Sequence, residues 1–230
     1  MRTRARLASL IVLLLGAATP ARADPTLNVV ELFQSQGCSS CPPANANVMA
    51  LADRPDVLAL SFGVTYWDYL GWKDTFASPA FTARQRDYVR GLHGASAYTP
   101  QVVVNGRVEL VGTDRAQLEQ TIRRNVRPPF EPAITFAARL VNIGAGRGGA
   151  ADVWLVWYDP RTLNIPIRRG ENGGRTLPHR NVARAITRLG GWTGAEEAYD
   201  LPPPPDAAYR GAILLQRPDG GPILAAARID

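Results

Sequence analysis

Hydrophobic positions follow two different rhythms along this chain, and the change falls near residue 128. From Leu27 to Phe33 the apolar run is broken only by Asn28 and Glu31, which predicts a central strand covered on both faces. A helix follows over Pro42 to Asp53, with two prolines in the first turn, where a missing N–H breaks no internal hydrogen bond. Val57 to Phe62 is a second apolar strand. Strand, helix and strand with no hairpin turn between them imply a parallel pair joined by a right-handed crossover. Tyr66, Trp67, Tyr69, Leu70 and Trp72 crowd one short segment, expected to pack over the sheet with Asp68 and Lys73 in solvent. Ser78-Pro79 opens a helix that carries Phe81, Tyr88, Val89 and Leu92 on one face. Asn105-Gly106 between two β-branched runs is a hairpin signal, and Asp114 can N-cap a helix to Asn125 with Leu118 and Ile122 inward. The predicted order over residues 24–127 is βαβαββα.

Pro128-Pro129 lies in a short stiff linker, residues 128–130. Beyond it, over 131–230, short alternating segments separated by Gly and Pro turns predict an all-β, sandwich-like antiparallel domain. The expected strands are Ala133 to Val141, Asp152 to Tyr158, Leu163 to Arg168, Ala208 to Gln216 and Pro222 to Ile229. Asn181 to Leu189 matches a helical face as well as a strand, and its surroundings favour a strand.

The amino terminus changes the context. Arg2, Arg4 and Arg6 precede an apolar segment from Leu7 to Ala18, and Ala21-Arg22-Ala23 has the small-x-small form of a cleavage site, so residues 1–23 read as a secretory signal peptide. The remaining chain holds no stretch long and apolar enough to span a bilayer, and a soluble periplasmic or secreted product is expected. Removing the segment's four arginines turns a formal charge of +6 into 22 basic residues against 20 acidic ones. With no basic run left, nucleic acid is not an expected partner.

The only two cysteines, Cys38 and Cys41, stand where the first strand gives way to the first helix. A helix start favours an anion, here a thiolate. The hydroxyls of Ser39 and Ser40 add donors for it, while Pro42 and Pro43 remove two backbone donors. Outside the cytosol such a pair is a disulfide by default. As a structural clip it gains little: closing so short a loop stabilises by about 2 kcal/mol, against almost 5 for a loop of about 100 residues. The spacing suits exchange chemistry, since a mixed disulfide on one thiol must be broken by a second one nearby. Glu31 is the one carboxylate in an apolar strand; the plain alternative is a strand-end group reaching solvent. His93 and His179, the only histidines, show no metal spacing with the cysteines, and Gly170 to Gly174 reads as a loop rather than a phosphate cradle.

The segments VELFQSQGCSSCPPA (30–44), YWDYLGWK (66–73), TARQ (82–85) and YTPQ (98–101) resemble an uncharacterised family of exported bacterial thioredoxin-like proteins. The likeness extends to Arg169-Gly170-Glu171-Asn172 and His179-Arg180-Asn181-Val182. It implies a thioredoxin-like fold for residues 24–127 ahead of the β domain. It also implies that Cys38 lies at an exposed tip as nucleophile, that Cys41 resolves, and that Glu31 is a buried acid exchanging a proton with the resolving thiol. Thr99-Pro100 is then a cis peptide docking the partner's backbone. The chain departs from the family's pattern at Gly63 and Thr65, where histidine and aspartate commonly stand, so no relay or metal site rests there. The expected activity is thiol–disulfide exchange with exported protein or small thiol partners, through transient mixed disulfides and without a cofactor. Two alternatives stand beside it: a binding or scaffold protein with a permanent disulfide, and a chaperone for a soft metal such as copper.

Overall fold

A computed structural model describes residues 27–127 and 132–229. The expected signal peptide and the expected linker at 128–130 lie outside these residues. β1 (Asn28–Gln34) is buried at every position, as a strand with apolar residues on both faces should be. It runs parallel to β2 (Val57–Gly63) and antiparallel to β3 (Gln101–Val104), in registers that set Glu31 beside Leu60 and Val103. α1 (Cys41–Met49) joins β1 to β2 and carries prolines in its first turn. α2 (Pro79–Gly91) begins where Ser78 Oγ accepts from Ala80 N–H. α3 (Arg115–Arg124) begins where Asp114 accepts from Ala116 and Gln117. Both are N-caps that satisfy otherwise orphaned donors. Between β3 and β4 (Val108–Leu110), Asn105 and Gly106 both take positive φ, 52° and 62°, which the tight hairpin demands. The observed order of this half is βαβαββα.

Among the described residues the second half contains strands and no helix. β5 (Ile134–Ala137) and β6 (Leu140–Ile143) replace the single strand expected from Ala133 to Val141, because Ala138 at φ 52° turns the chain back on itself. β7 (Ala151–Asp159), β8 (Leu163–Pro166), β10 (Val182–Trp192), β12 (Arg210–Gln216) and β13 (Ile223–Ile229) fall on expected segments, and the ambiguous stretch from Asn181 is a strand. Two short strands escaped the pattern, β9 (Thr176–His179) and β11 (Glu197–Asp200). β9 carries Pro178, and β11 begins and ends on a carboxylate, so neither shows an apolar alternation.

The architecture is mixed α/β: one large mixed sheet with additional antiparallel strands. Its eight strands run in the order β13-β12-β7-β10-β2-β1-β3-β4, so strands from both sides of residues 128–131 share one sheet. The seam is the parallel approach of β10 to β2 at Val182 and Ser61. There Ser61 N–H donates to Asn181 O at 2.9 Å and Asn181 Nδ2 donates to Ala59 O at 2.9 Å. Alternate residues of β1 face different cores. Val29 and Phe33 join Phe62, Phe81 and Tyr88 beneath α2, in a cluster that also takes Val156 and Tyr158 from β7. Val30 and Leu32 meet Ala44, Val48, Leu118 and Ile122 of α1 and α3. A third cluster packs β5 and β6 against Val153, Leu155 and Trp157 of β7. A three-stranded sheet β11-β6-β5 and a two-stranded ribbon β8-β9 hold the other strands among the described residues. No helix among the described residues is long and apolar enough to cross a membrane.

Candidate functional site

After Gln34 the chain leaves the sheet and makes a tight turn, with Cys38 N–H donating to Ser35 O (3.1 Å) and Cys41 N–H to Cys38 O (3.2 Å). Cys38 and Cys41 form a disulfide, their Cα atoms 5.5 Å apart. The aromatic segment holds this turn from outside. Gln36 N–H donates to Asp74 Oδ2 (2.7 Å), Trp72 Nε1 donates to Gln36 Oε1 (2.8 Å), and Gln36 Nε2 donates to Thr75 Oγ1 (2.9 Å). Asp74 is almost wholly buried, and its carboxyl is pushed up to about 6 by that burial, against the N–H groups of Gln36 and Phe76 that favour its charge.

Thr99–Pro100 is a cis peptide. The fully buried Gln85 on α2 donates to Tyr98 O (2.8 Å), and Trp67 Nε1 donates to Thr99 Oγ1 (2.7 Å), so helix and aromatic segment together fix this turn. Ser40 connects it to the disulfide. Although Ser40 occupies the N-cap position of α1, its hydroxyl makes no cap bond. It lies 3.3 Å from Cys38 Sγ and 3.5 Å from Thr99 O. Of the two serines, Ser40 reaches the sulfur; the Ser39 hydroxyl turns away and donates to Glu171 at 2.7 Å.

The exposed tip implied for Cys38 is not observed: Cys38 is 0% and Cys41 1% exposed. A turn from the second half of the chain is seated on the same cysteine turn. Glu171, beyond β8, accepts from Ser39 N–H at 2.9 Å as well as from its hydroxyl, and both contacts hold the Glu171 carboxyl below its usual range. The fully buried Asn172 donates through Nδ2 to Gln36 O (3.0 Å) and Cys38 O (2.8 Å), while its Oδ1 accepts from Arg175 (2.7 Å). Sequence reasoning assigned no role to Glu171, Asn172 or Asp74. The first two lie in a segment that carried the family likeness, which was the available signal.

Glu31 is 0% exposed, so it is no strand-end group reaching solvent. Its carboxylate accepts from Arg84 Nε (2.6 Å), Arg84 Nη2 (3.1 Å) and Tyr88 Oη. These partners sit on α2, across the sheet from α1 and Cys41, because Glu31 shares the side of β1 used by Val29 and Phe33. The acid expected to serve the resolving thiol is thus committed to a buried ion pair on the other face. Gly63, where the family commonly has histidine, lies against backbone: a Cβ there would come within 2.8 Å of Ala77 N and Phe76 C. Beneath α1, His179 Nδ1 sits 3.2 Å from Gln34 Nε2, which also contacts Asn45 Oδ1 (3.0 Å) and Ser61 Oγ (2.6 Å). Burial pulls the His179 imidazole down to about 4, so it is neutral at ordinary pH. Among the described residues no group of three or more His, Cys, Asp or Glu side chains converges as for a metal.

The chain belongs to a family described as protein of unknown function (DUF1223), which matches residues 29–216. It is similar to protein AGR_C_4864 from Agrobacterium tumefaciens, whose X-ray crystal structure superposes with a TM-score of 0.71 at 32% identity, covering 88% of this chain and 93% of that one. HBP35 of Porphyromonas gingivalis is similar in fold, with a TM-score of 0.57 at 12% identity over 88% of this chain and 74% of that one. No curated protein matches the chain.

Proposed function

We propose that this member of the family is an exported, periplasmic or secreted, thiol–disulfide oxidoreductase whose first half has a thioredoxin-like fold and whose second half covers the reactive pair. The observation that carries the reading is the meeting of three features at one place. The Cys38–Cys41 disulfide opens α1, the cis Thr99–Pro100 peptide lies beside it, and Ser40 touches both. The strand order β2-β1-β3-β4, with β2 parallel and β3 antiparallel to β1, agrees with the same fold. In the exchange a partner thiolate attacks Cys38 Sγ, a mixed disulfide forms, and Cys41 leaves as a thiolate. A second partner thiolate then attacks the partner sulfur. The products are an oxidised partner and the Cys38–Cys41 dithiol, and the same steps reversed reduce a partner disulfide. Ser40 is placed to donate to the Cys38 thiolate that this step releases. Thr99, held by Trp67, offers its backbone to the incoming chain.

A second reading has its own support: burial of both cysteines favours a permanent bridge in a binding protein. The reduction potential separates them. A working pair is expected above about −300 mV, and a permanent one below it. Cys41→Ser in the full chain is expected to trap partners on Cys38 as mixed disulfides visible by mass spectrometry. A potential below that limit together with an empty trap would leave the permanent bridge as the function of the pair.

A further inference from the structure

Both cysteines are buried, and the contacts that seat the second half on their turn are of an unusual kind. Between Arg168 and Thr176 only Asn172 is buried, so this turn of the β8-β9 ribbon brings no apolar side chain to the core. It is seated by four hydrogen bonds: Glu171 to Ser39 N–H and Oγ, and Asn172 to Gln36 O and Cys38 O. Gly170 and Gly174, at φ 78° and 84°, let the turn fold back sharply enough to present these two side chains. The foot of the same ribbon is anchored differently. Leu177 and His179 are buried, Asn45 Nδ2 donates to Pro178 O (2.7 Å), and Arg180 grips Asp53 with two bonds of 2.7 and 2.6 Å. A two-stranded ribbon is marginal by itself, and a turn that buries no apolar side chain of its own opens at less cost than one with a buried apolar face.

The groups that the turn occupies are the ones an incoming chain needs. Ser39 N–H and hydroxyl are donors matched to a carboxylate, and the two carbonyls are acceptors matched to an amide, all within three residues of Cys38. We propose that Glu171-Asn172 is a built-in competitor for the partner. It shelters the disulfide until displaced by a segment that carries a carboxylate beside its own cysteine and takes over Ser39. The inference rests on the exchange reading above and adds both a gate and a partner class to it.

Reduction of the full chain by dithiothreitol, quenched by alkylation and followed by mass, tests the gate. Glu171→Ala removes two charge-assisted bonds from an exposed side chain and is expected to speed reduction by about tenfold. Glu171→Gln keeps an acceptor oxygen and is expected to fall between, while hydrogen exchange at the Ser39 amide accelerates in the same order. Equal reduction rates in all three proteins would overturn the gate. Two short peptide thiols, Cys-Glu and Cys-Gln, each normalised to its rate with a small disulfide, test the partner class. The acidic peptide is expected to react several-fold faster, and equal normalised rates would overturn that assignment. Two further results separate this proposal from the reading beneath it. Peptide exchange equally fast in wild type and Glu171→Ala would remove the gate and leave exchange intact. A wild-type disulfide inert to every peptide thiol, yet reduced faster by dithiothreitol in Glu171→Ala, would remove exchange and leave the gate.

Discussion

Glu31→Gln is expected to cost this protein more stability than almost any other single change. The carboxylate is 0% exposed and Arg84 6% exposed, with contacts of 2.6 and 3.1 Å between them and a third from Tyr88. Glutamine has nearly the same shape, but it offers one acceptor oxygen and turns an amide donor toward the guanidinium. Arg84 cannot shed its proton, so a full charge would remain buried without a counterion. Removing one partner of such a pair costs about 3 to 5 kcal/mol. The rings of Tyr88 and Trp154, 5.1 and 5.7 Å from the guanidinium carbon, soften the loss by about 1 kcal/mol and favour the lower end. With a urea dependence of about 3 kcal/mol per molar, the midpoint should fall by roughly 1 M. Glu31→Leu combined with Arg84→Met removes both charges and should recover most of that loss. The rate at which Cys41 releases a mixed disulfide should not change in Glu31→Gln under conditions where it is folded, since the carboxylate faces α2. A midpoint shift below about 0.2 M at unchanged slope would refute the energetic argument. Slowed release in a folded variant would refute the placement of Glu31 outside the chemistry.

Three other outcomes are expected. Asp74 and His179 give opposite pH dependences. The raised carboxyl of Asp74, at about 6, contributes stability that is full below pH 4 and lost as pH rises through 6. The lowered imidazole of His179, at about 4, contributes stability that is full above pH 6.5 and lost as pH falls toward 4. Each amounts to about 3 kcal/mol at most, so urea midpoints of the wild type should vary little between pH 4 and 6, whereas His179→Phe should lose stability across that window; a parallel profile in the variant would contradict the assignment. Replacing both cysteines by serine should cost only about 2 kcal/mol in urea titration, the loop being so short, and a loss of 5 would mean that the bridge is chiefly structural. Gly63→His should destabilise by about 1 to 3 kcal/mol in the same assay, because its Cβ has no room against Ala77 N at 2.8 Å; an unaltered midpoint would show that the 76–77 backbone yields freely.

Much of the first half was legible because its signals are local. Continuous apolar runs, the prolines of Pro42-Pro43, the Asn105-Gly106 turn and the Asp114 cap each act within a few residues, and each element formed where its signal lay. The hairpin at Ala138 was not legible, since alanine at φ 52° carries no turn chemistry of its own. The side of the sheet taken by Glu31 was readable in principle. A residue an odd number of positions from Phe33 would face the other way, and at an even spacing Glu31 shares its face with Val29 and Phe33 rather than with Leu32. What helix packs on that face is a long-range matter, and Arg84 and Tyr88 lie more than 50 positions away. The seating of the second half on the cysteine turn was out of reach for the same reason: Asn172 donates to Cys38 O across 134 positions.

The position of the cover follows from a single feature of the topology, the parallel approach of β10 to β2. Two parallel strands begin at the same end of a sheet, but β10 meets β2 only at Ser61, late in β2. Whatever precedes β10 therefore emerges near the carboxyl end of β2, and β1 ends there too, with Gln34 beside Gly63. That is the edge from which the cysteine turn departs. The segment from Leu177 to Asn181 is delivered to it, as the contact of His179 with Gln34 and the bonds of Asn181 to β2 attest. The ribbon extends from this anchored foot, and its far turn meets the cysteine turn at Ser39, Gln36 O and Cys38 O. Fusion of the halves through one sheet thus sets the foot by buried side chains and leaves the tip to polar contacts. A change that loosens the foot, such as Asn181→Ala, should disturb the sheet and the disulfide together, whereas a change at Glu171 should touch the disulfide alone.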